Sequence, residues 1–181
     1  MKHNVFLIGM MASGKTTIGR HLANVLGLEF VDADQVIEQR AGADIAWIFD
    51  LEGEAGFRER EENVIDELTR RDGIVLATGG GVVLREENRT RLRQRGVVVY
   101  LDTPLKRLVA RARNDRHRPL LSDGDPEQTM RRILEERGGL YADTADVAVR
   151  VSGGSPRSIA DLIAAQLESS ERFERSARPE R

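Results

Sequence analysis

The sequence predicts an α/β fold in which a five-stranded, mostly parallel sheet is covered by helices on both faces. Short apolar runs rich in branched residues alternate along the chain with longer segments that carry an apolar face. Glycines and Asp-Gly pairs separate most of these segments. No interdomain linker or internal repeat interrupts the pattern, so residues 1–170 of the 181 are expected to form a single domain.

The first half of the chain contains three predicted strands, each followed by helical segments. The strands are predicted at 5–8, 28–31 and 74–77, and the helices at 18–26, 34–40, 44–52 and 54–71. Asp44 is a suitable N-cap for the third of these helices, and Gly53 is expected to end it.

The second half contains the two remaining strands, at 97–101 and 147–151. Helices are predicted at 86–95, from 104 onward, at 127–141 and at 156–167. The segment between, about 112–125, is rich in Arg, Asp and Gly and is expected to act as a mobile lid. Residues 171–181 are polar, lack an apolar period and are expected to form a frayed tail.

The stretch GMMASGKTT, residues 9–17, lies between the first predicted strand and the first predicted helix. This setting favours a phosphate-binding loop, in which main-chain N–H groups and the helix N-terminus surround an anion. In such a loop Lys15 reaches the β- and γ-phosphates and the Thr16 hydroxyl binds Mg²⁺. The alternative is an ordinary glycine-rich turn with a solvated lysine. The fold class is therefore predicted as the P-loop NTPase type.

Composition excludes several other classes of function. The chain has no cysteine, which rules out disulfides, thiolate metal sites and cysteine catalysis. The formal net charge of −2 gives no general attraction to nucleic acid or to an anionic membrane. No apolar run is long enough to span a membrane, and no targeting segment is recognised, so a cytoplasmic protein is expected.

Two groups of residues follow predicted strands and are expected at the same edge of the sheet. Asp32 and Asp34 come after the second strand, where one carboxylate could hold Mg²⁺ and the other could orient or deprotonate a hydroxyl. The alternative is that Asp34 only caps the next helix. The glycines 79–81 follow the third strand; their N–H groups could bind a substrate oxygen, or they could form a plain tight turn.

Arginines in two segments could bind anions. From the pattern alone, Arg58 and Glu61 belong to a solvated helix face of alternating charge; the less favoured interpretation is an arginine fork for a carboxylate, oriented by Glu61. The lid arginines, from Arg111 to Arg118, could be solvated or could bring positive charge to a phosphoryl group. Trp47 is expected to serve in packing rather than as a stacking platform.

From about residue 4 to residue 167 the chain resembles shikimate kinase. The resemblance rests on motifs in order: GMMASGKTT, Asp-Ala-Asp at 32–34, Ile-Phe at 48–49, Gly-Glu at 53–54, Phe-Arg at 57–58 with Glu61, Thr-Gly-Gly-Gly at 78–81, Arg-Pro-Leu-Leu at 118–121, and Arg137 before Leu-Tyr at 140–141. The resemblance implies ATP-dependent phosphorylation of the 3-hydroxyl of shikimate, in the pathway to chorismate and the aromatic amino acids.

The resemblance also implies a role for individual residues. The ATP phosphates would be held by Ala12, Ser13, Gly14, Lys15, Thr16 and Thr17, with Arg118 from the lid. Mg²⁺ would be held by Thr16 and, through water, by Asp32. Shikimate would be held by Asp34, Arg58, Gly80, Gly81 and Arg137, and the adenine would be flanked by Arg111 and Pro156. Lys15, Asp34 and Arg118 would be the catalytic residues, with Asp34 as the candidate base.

The chain departs from the family pattern at two places. Ala12 stands where many members have glycine, and residues 150–154 lack an Asp-Thr and a nearby arginine that some members have. Two other functions are compatible with the motifs: another kinase of this fold, such as one acting on gluconate, or a nucleotide-binding regulatory switch. The protein is expected to be a monomer.

Overall fold

The computed structural model describes residues 4–113 and 125–169 of the chain. Its strands are β1 Val5–Ile8, β2 Glu29–Asp32, β3 Ile74–Ala77, β4 Val97–Asp102 and β5 Val147–Arg150. Its helices are α1 Lys15–Leu26, α2 Ala33–Ala41, α3 Ile45–Leu68, α4 Glu86–Arg95, α5 Leu105–Ala112, α6 Pro126–Thr144 and α7 Pro156–Glu168, with a short 3-10 helix at Val82–Leu84. All five predicted strands are confirmed within one residue at each end.

The five strands form one parallel sheet in the order β2-β3-β1-β4-β5. In β1, Phe6 aligns with Leu76 of β3 on one side and with Val98 of β4 on the other. Strands β1 and β3 are completely buried, whereas β2 and β5 form the edges and carry exposed residues. The predicted α/β architecture is therefore confirmed for the described residues.

Helices cover both faces of the sheet because consecutive side chains of a strand point to opposite faces. Phe6 contributes to the core on one face, together with residues of α2 to α6, and Leu7 contributes to the core on the other face. On that second face α1 packs against α7. Since all strands are parallel, their carboxyl ends lie at one edge, where open α/β sheets bind ligands.

Helix α3 is interrupted at Gly53, which has φ 71° and ψ −179°. This confirms the predicted end of a first helix there, and Asp44 caps that helix as expected by accepting a hydrogen bond from the Trp47 N–H. Trp47, expected to serve in packing, does not belong to the core, because its side chain is 54% exposed. Ile48 is the next residue and points into the core, so Trp47 lies about 100° away around the helix.

Candidate active site

The loop after β1 has the backbone geometry that an anion cradle needs. Gly9, Ala12 and Gly14 have φ values of 145°, 62° and 97°. Ala12 is the one non-glycine residue with positive φ among those described, and this backbone region costs an L-residue roughly 1–2 kcal/mol. The loop also carries a turn in which the Ser13 N–H donates to the Met10 carbonyl over 3.2 Å.

Two cations bind the carbonyl groups of the loop. The Lys15 ammonium donates to the carbonyl oxygens of Gly9 and Met10, each over 2.7 Å. The Arg111 guanidinium donates to the carbonyl oxygens of Ala12 and Ser13 over 3.2 and 3.0 Å. The C=O and the N–H of one peptide unit point in opposite directions. Bonds from the two cations to these carbonyls therefore favour loop N–H groups that point away from the cations.

The N-terminus of α1 is open toward the cleft. No side chain caps the helix, and its first turn contains no acidic residue. The first N–H bonded within the helix is that of Ile18, which donates to the Gly14 carbonyl over 2.9 Å. The N–H groups of Thr16 and Thr17 therefore have no hydrogen-bond acceptor within the helix. Together with the positive end of the helix dipole, they are suited to bind phosphate.

Asp32 joins the loop to the end of β2. One of its carboxylate oxygens accepts a 2.7 Å hydrogen bond from the Thr16 hydroxyl. The other oxygen caps α2 by accepting from the N–H groups of Asp34 and Gln35 over 3.0 and 3.4 Å. The alternative that Asp34 caps this helix is therefore wrong: β2 extends to Asp32, and that residue takes the capping position.

Asp34 keeps a carboxylate oxygen without a partner. Its Oδ1 is buried and accepts no hydrogen bond from any residue within 4–113 and 125–169. The pKa of Asp34 is raised from 3.8 to about 7, chiefly by burial and then by the Asp32 and Glu61 carboxylates, while the Lys15 charge opposes the rise. A carboxyl group in this state can accept or donate a proton near neutral pH.

Arg58 and Glu61 form an ion pair inside the protein, so the favoured interpretation of an exposed face is wrong. Their residues are 7% and 0% exposed, and Arg58 Nη1 donates to Glu61 Oε2 over 2.7 Å. Glu54 accepts two further bonds from the same guanidinium, each over 3.3 Å. Burial raises the pKa of Glu61, and the Arg58 charge opposes the rise. The orienting role expected of Glu61 is thus present.

A second buried guanidinium, that of Arg137 on α6, lines the same cleft and is 5% exposed. Its Nε has no hydrogen-bond partner among the described residues, and neither has Glu61 Oε1. Both guanidinium groups act electrostatically on Glu61, so the two arginines lie near one carboxylate. Glu61 and Glu54 both pair with Arg58, whereas the Nε donor of Arg137 remains unused by the described residues, which suits this wall to bind an anion.

The glycines after β3 approach these side chains so closely that larger residues do not fit. A Cβ at Gly79 would lie 2.7 Å from Glu61 Oε1 and 2.9 Å from Asp34 Oδ1. A Cβ at Gly81 would overlap the Arg58 guanidinium, and one at Gly80 would lie 3.2 Å from the Met11 nitrogen of the phosphate loop. The glycines therefore do more than make a turn: they bring backbone against both the acidic and the basic groups.

The chain matches the family model described as shikimate kinase over residues 11–168. A relative named shikimate kinase, from Pseudoalteromonas atlantica, is 58% identical over 162 residues, which is 90% of this chain and 95% of that one. The chain belongs to the shikimate kinase family. A solved shikimate kinase from Acinetobacter baumannii, in complex with shikimate, is 46% identical with a TM-score of 0.92, covering 94% of this chain and 96% of that one.

Likeness to other small-molecule kinases is limited to the fold. A gluconokinase from Sinorhizobium meliloti is 16% identical with a TM-score of 0.54, covering 93% of this chain and 97% of that one. The shikimate kinase family is thus favoured over the gluconate alternative. No helix within 4–113 or 125–169 has the length and apolar character needed to cross a bilayer.

Most residues that the shikimate kinase motifs single out meet in one cleft of about 970 Å³. Its walls include Ala12, Gly14, Lys15, Thr16, Thr17, Asp32, Asp34, Arg58, Gly80, Gly81, Arg111, Arg137 and Pro156. Ser13, which belongs to the loop itself, is fully buried. Arg118 and most of the expected lid, about 112–125, lie outside the described residues, as does the expected tail 171–181.

Three features of this cleft were not predicted from the sequence. Phe49 and Phe57, to which no role in binding was assigned, line the cleft with ring centroids 4.7 Å apart. The Arg111 guanidinium donates to the loop carbonyls, a contact for which the sequence carries no signal, and its place beside the adenine stays a prediction. Tyr141 bonds the glycine turn. Its position one helical turn after Arg137 was the only signal in the sequence for that contact.

Proposed function

We propose that this chain transfers the γ-phosphoryl group of ATP to the 3-hydroxyl of shikimate, giving shikimate 3-phosphate and ADP. One observation carries the proposal: a phosphate-binding loop shares its cleft with two buried guanidinium groups and a carboxyl group whose pKa lies near 7. The acceptor must then be an alcohol that also bears an anionic group, which describes shikimate. Family membership supports the same acceptor.

The carboxylate of shikimate would bind between Arg58 and Arg137. Arg58 is held in place by Glu61 and Glu54, so little side-chain entropy remains to be lost on binding. Arg137 has an Nε donor that no described residue uses. Planar guanidinium groups match the geometry of a carboxylate, which fixes the orientation of the ring. Gly80 and Gly81 would contact a ring hydroxyl through their backbone.

ATP would bind at the loop, with its phosphates on residues 12–17, Arg118 approaching from the lid, and the adenine near Arg111 and Pro156. Mg²⁺ would be held by Thr16 and by Asp32 through water. The Thr16 hydroxyl and the Asp32 carboxylate, 2.7 Å apart, are the hard oxygen ligands that Mg²⁺ prefers. Bound there, Mg²⁺ would supply charge neutralisation at the transferring phosphate.

Asp34 would act on the acceptor hydroxyl. Its carboxylate would accept a hydrogen bond from the hydroxyl and take its proton as the oxygen attacks phosphorus. A pKa near 7 makes Asp34 a stronger proton acceptor than an ordinary carboxylate and leaves much of it ionised at neutral pH. Positioning and charge neutralisation would supply most of the acceleration, with Lys15 as the ammonium group at the phosphates.

The direct test is ADP release measured with and without shikimate, and with gluconate as the alternative acceptor. We expect turnover only with shikimate. Lys15→Ala should lower it by at least a hundredfold, in line with the loss of one preorganised charge at a transition state. Lys106→Ala, which removes an exposed lysine on α5, is the matched control and should leave turnover unchanged. Tight nucleotide binding without shikimate-dependent turnover would favour a regulatory switch instead.

The proposed enzyme would act as a monomer in the cytoplasm, without binding nucleic acid or membrane. The formal net charge of −2 supports the last of these points, since it gives no general attraction to a polyanion. Light scattering during size-exclusion chromatography measures the mass directly. A mass close to 20.2 kDa is expected, and a mass of twice that value would contradict the monomer.

A further inference from the structure

Tyr141 lies behind the wall of the cleft. It is a fully buried residue of α6, and its hydroxyl donates a hydrogen bond to the carbonyl oxygen of Gly80. The same hydroxyl lies 3.9 Å from the sulfur of Met10 in the phosphate loop. Gly80 and Gly81 are among the residues lining the cleft, whereas Tyr141 is not. Its hydroxyl can therefore affect a ligand only through residues that line the cleft, which are the glycine turn and Arg137, whose guanidinium also acts on the phenol.

The bond to Gly80 determines the direction of the next amide. The carbonyl of Gly80 and the N–H of Gly81 belong to one planar trans peptide, so they point in opposite directions. Because the carbonyl points at Tyr141, the N–H points away from it. Within residues 4–113 and 125–169, nothing accepts a hydrogen bond from this N–H. The Gly81 N–H is thus a hydrogen-bond donor that has a fixed direction and no acceptor among the described residues.

Tyr141 is itself held firmly. Its ring stacks on that of Tyr100, with centroids 5.2 Å apart and an interplanar angle of 21°. Burial raises the pKa of Tyr141 well above its usual range, although Arg137 opposes the rise. The phenol therefore keeps its proton at neutral pH and can donate it to the Gly80 carbonyl. Without this bond, three successive glycines would have many backbone orientations available.

We propose that Tyr141 is a positioning residue for the acceptor: it aims the Gly81 N–H at the substrate and ties the glycine turn to the helix that carries Arg137. One side chain then sets the spacing between the donor for a ring hydroxyl and the clamp for the carboxylate. This inference rests on the proposed shikimate site. It predicts that loss of one hydroxyl group outside the cleft weakens binding of shikimate but not of ATP.

The test compares Tyr141→Phe with Tyr100→Phe. Each variant removes one phenolic oxygen from the same stacked pair, but only Tyr141 contacts Gly80. For Tyr141→Phe we expect the KM for shikimate to rise about five- to tenfold, which is the effect of one misplaced hydrogen bond. The KM for ATP should change less than about twofold, because loss of this bond leaves the loop amides in place. Tyr100→Phe should leave both values unchanged.

Thermal unfolding of each variant separates this role from a purely structural one. A Tyr141→Phe protein with a lowered melting temperature and an unchanged KM for shikimate would overturn the inference. An equal rise of both KM values would overturn it as well, since it would indicate general damage to the cleft. Failure of the proposed function looks different, because the unaltered protein would then show no shikimate-dependent turnover.

Discussion

Replacing Asp34 by asparagine should stabilise the ligand-free protein more at pH 8 than at pH 5. The folded protein holds the proton of this carboxyl group up to a pKa of about 7, whereas the unfolded chain releases it near the ordinary value of 3.8. Between these values the folded state binds more protons than the unfolded state. Stability of the unaltered protein therefore falls as the pH rises through this interval, and asparagine removes that loss.

The magnitude follows from the width of the interval. Each pH unit between the two pKa values lowers the free energy of unfolding by about 1.36 kcal/mol, so the rise from pH 5 to pH 7 lowers it by about 2.7 kcal/mol. Asp34→Asn should then raise the free energy of unfolding by about 2.7 kcal/mol more at pH 8 than at pH 5. The same variant should lose phosphoryl transfer, because the amide cannot take a proton from the acceptor.

Urea unfolding followed by circular dichroism, at both pH values and without ligands, measures this difference. Asp143→Asn is the matched control, since it removes an exposed carboxylate of α6 and should shift stability equally at the two pH values. Comparing each variant with the unaltered protein at the same pH cancels the titration of the other groups. A stabilisation by Asp34→Asn that is the same at pH 5 and pH 8 would refute the account of this carboxyl group.

Three further predictions concern the backbone and the clamp. Gly81→Ala should weaken shikimate binding at least tenfold in calorimetric titrations, because its Cβ overlaps the Arg58 guanidinium, and should leave ATP binding intact. Gly139→Ala is the control and should change neither affinity, because the space around Gly139 is open. Ala12→Gly should raise the free energy of unfolding by roughly 0.5 kcal/mol, since relief of positive φ exceeds the entropy cost of glycine; destabilisation in urea would contradict this. Arg137→Ala should raise the KM for shikimate at least tenfold with little change for ATP, and an unchanged KM would remove this residue from the clamp.

The strands and most helix boundaries could be predicted because their signals are local. Buried parallel strands appear as short apolar runs, and glycines or prolines mark their ends. Helix α4 was predicted at its observed bounds, Glu86–Arg95, for this reason. The phosphate loop could also be recognised, because strand, glycine-bounded loop and helix follow one another in the sequence.

The burial of charged residues could not be predicted in the same way. The segment around Arg58 and Glu61 alternates in charge like an exposed helix, but the glycine turn after β3 packs closely against both side chains, which pair with each other. These contacts join residues that are distant in sequence or one helical turn apart. The motifs shared with shikimate kinase pointed to the clamp where the pattern alone favoured solvent.

The roles of Asp32 and Asp34 depended on the exact residue at which β2 ends. The strand was predicted to end at residue 31 and ends at Asp32, so that residue caps α2 and bonds Thr16. Asp34 is then left with an unpartnered oxygen toward the cleft. Strand ends are seldom determined by propensity alone, and here the difference separates a capping carboxylate from a candidate base.

The measurement that tests the central claim most directly is the affinity of the unaltered protein and of Arg137→Ala for shikimate and for its neutral methyl ester. If two guanidinium groups hold the carboxylate, the unaltered protein should bind the ester at least tenfold more weakly than the acid, as expected for charged hydrogen bonds. In Arg137→Ala that difference should shrink. Equal affinity of the unaltered protein for acid and ester would contradict the account.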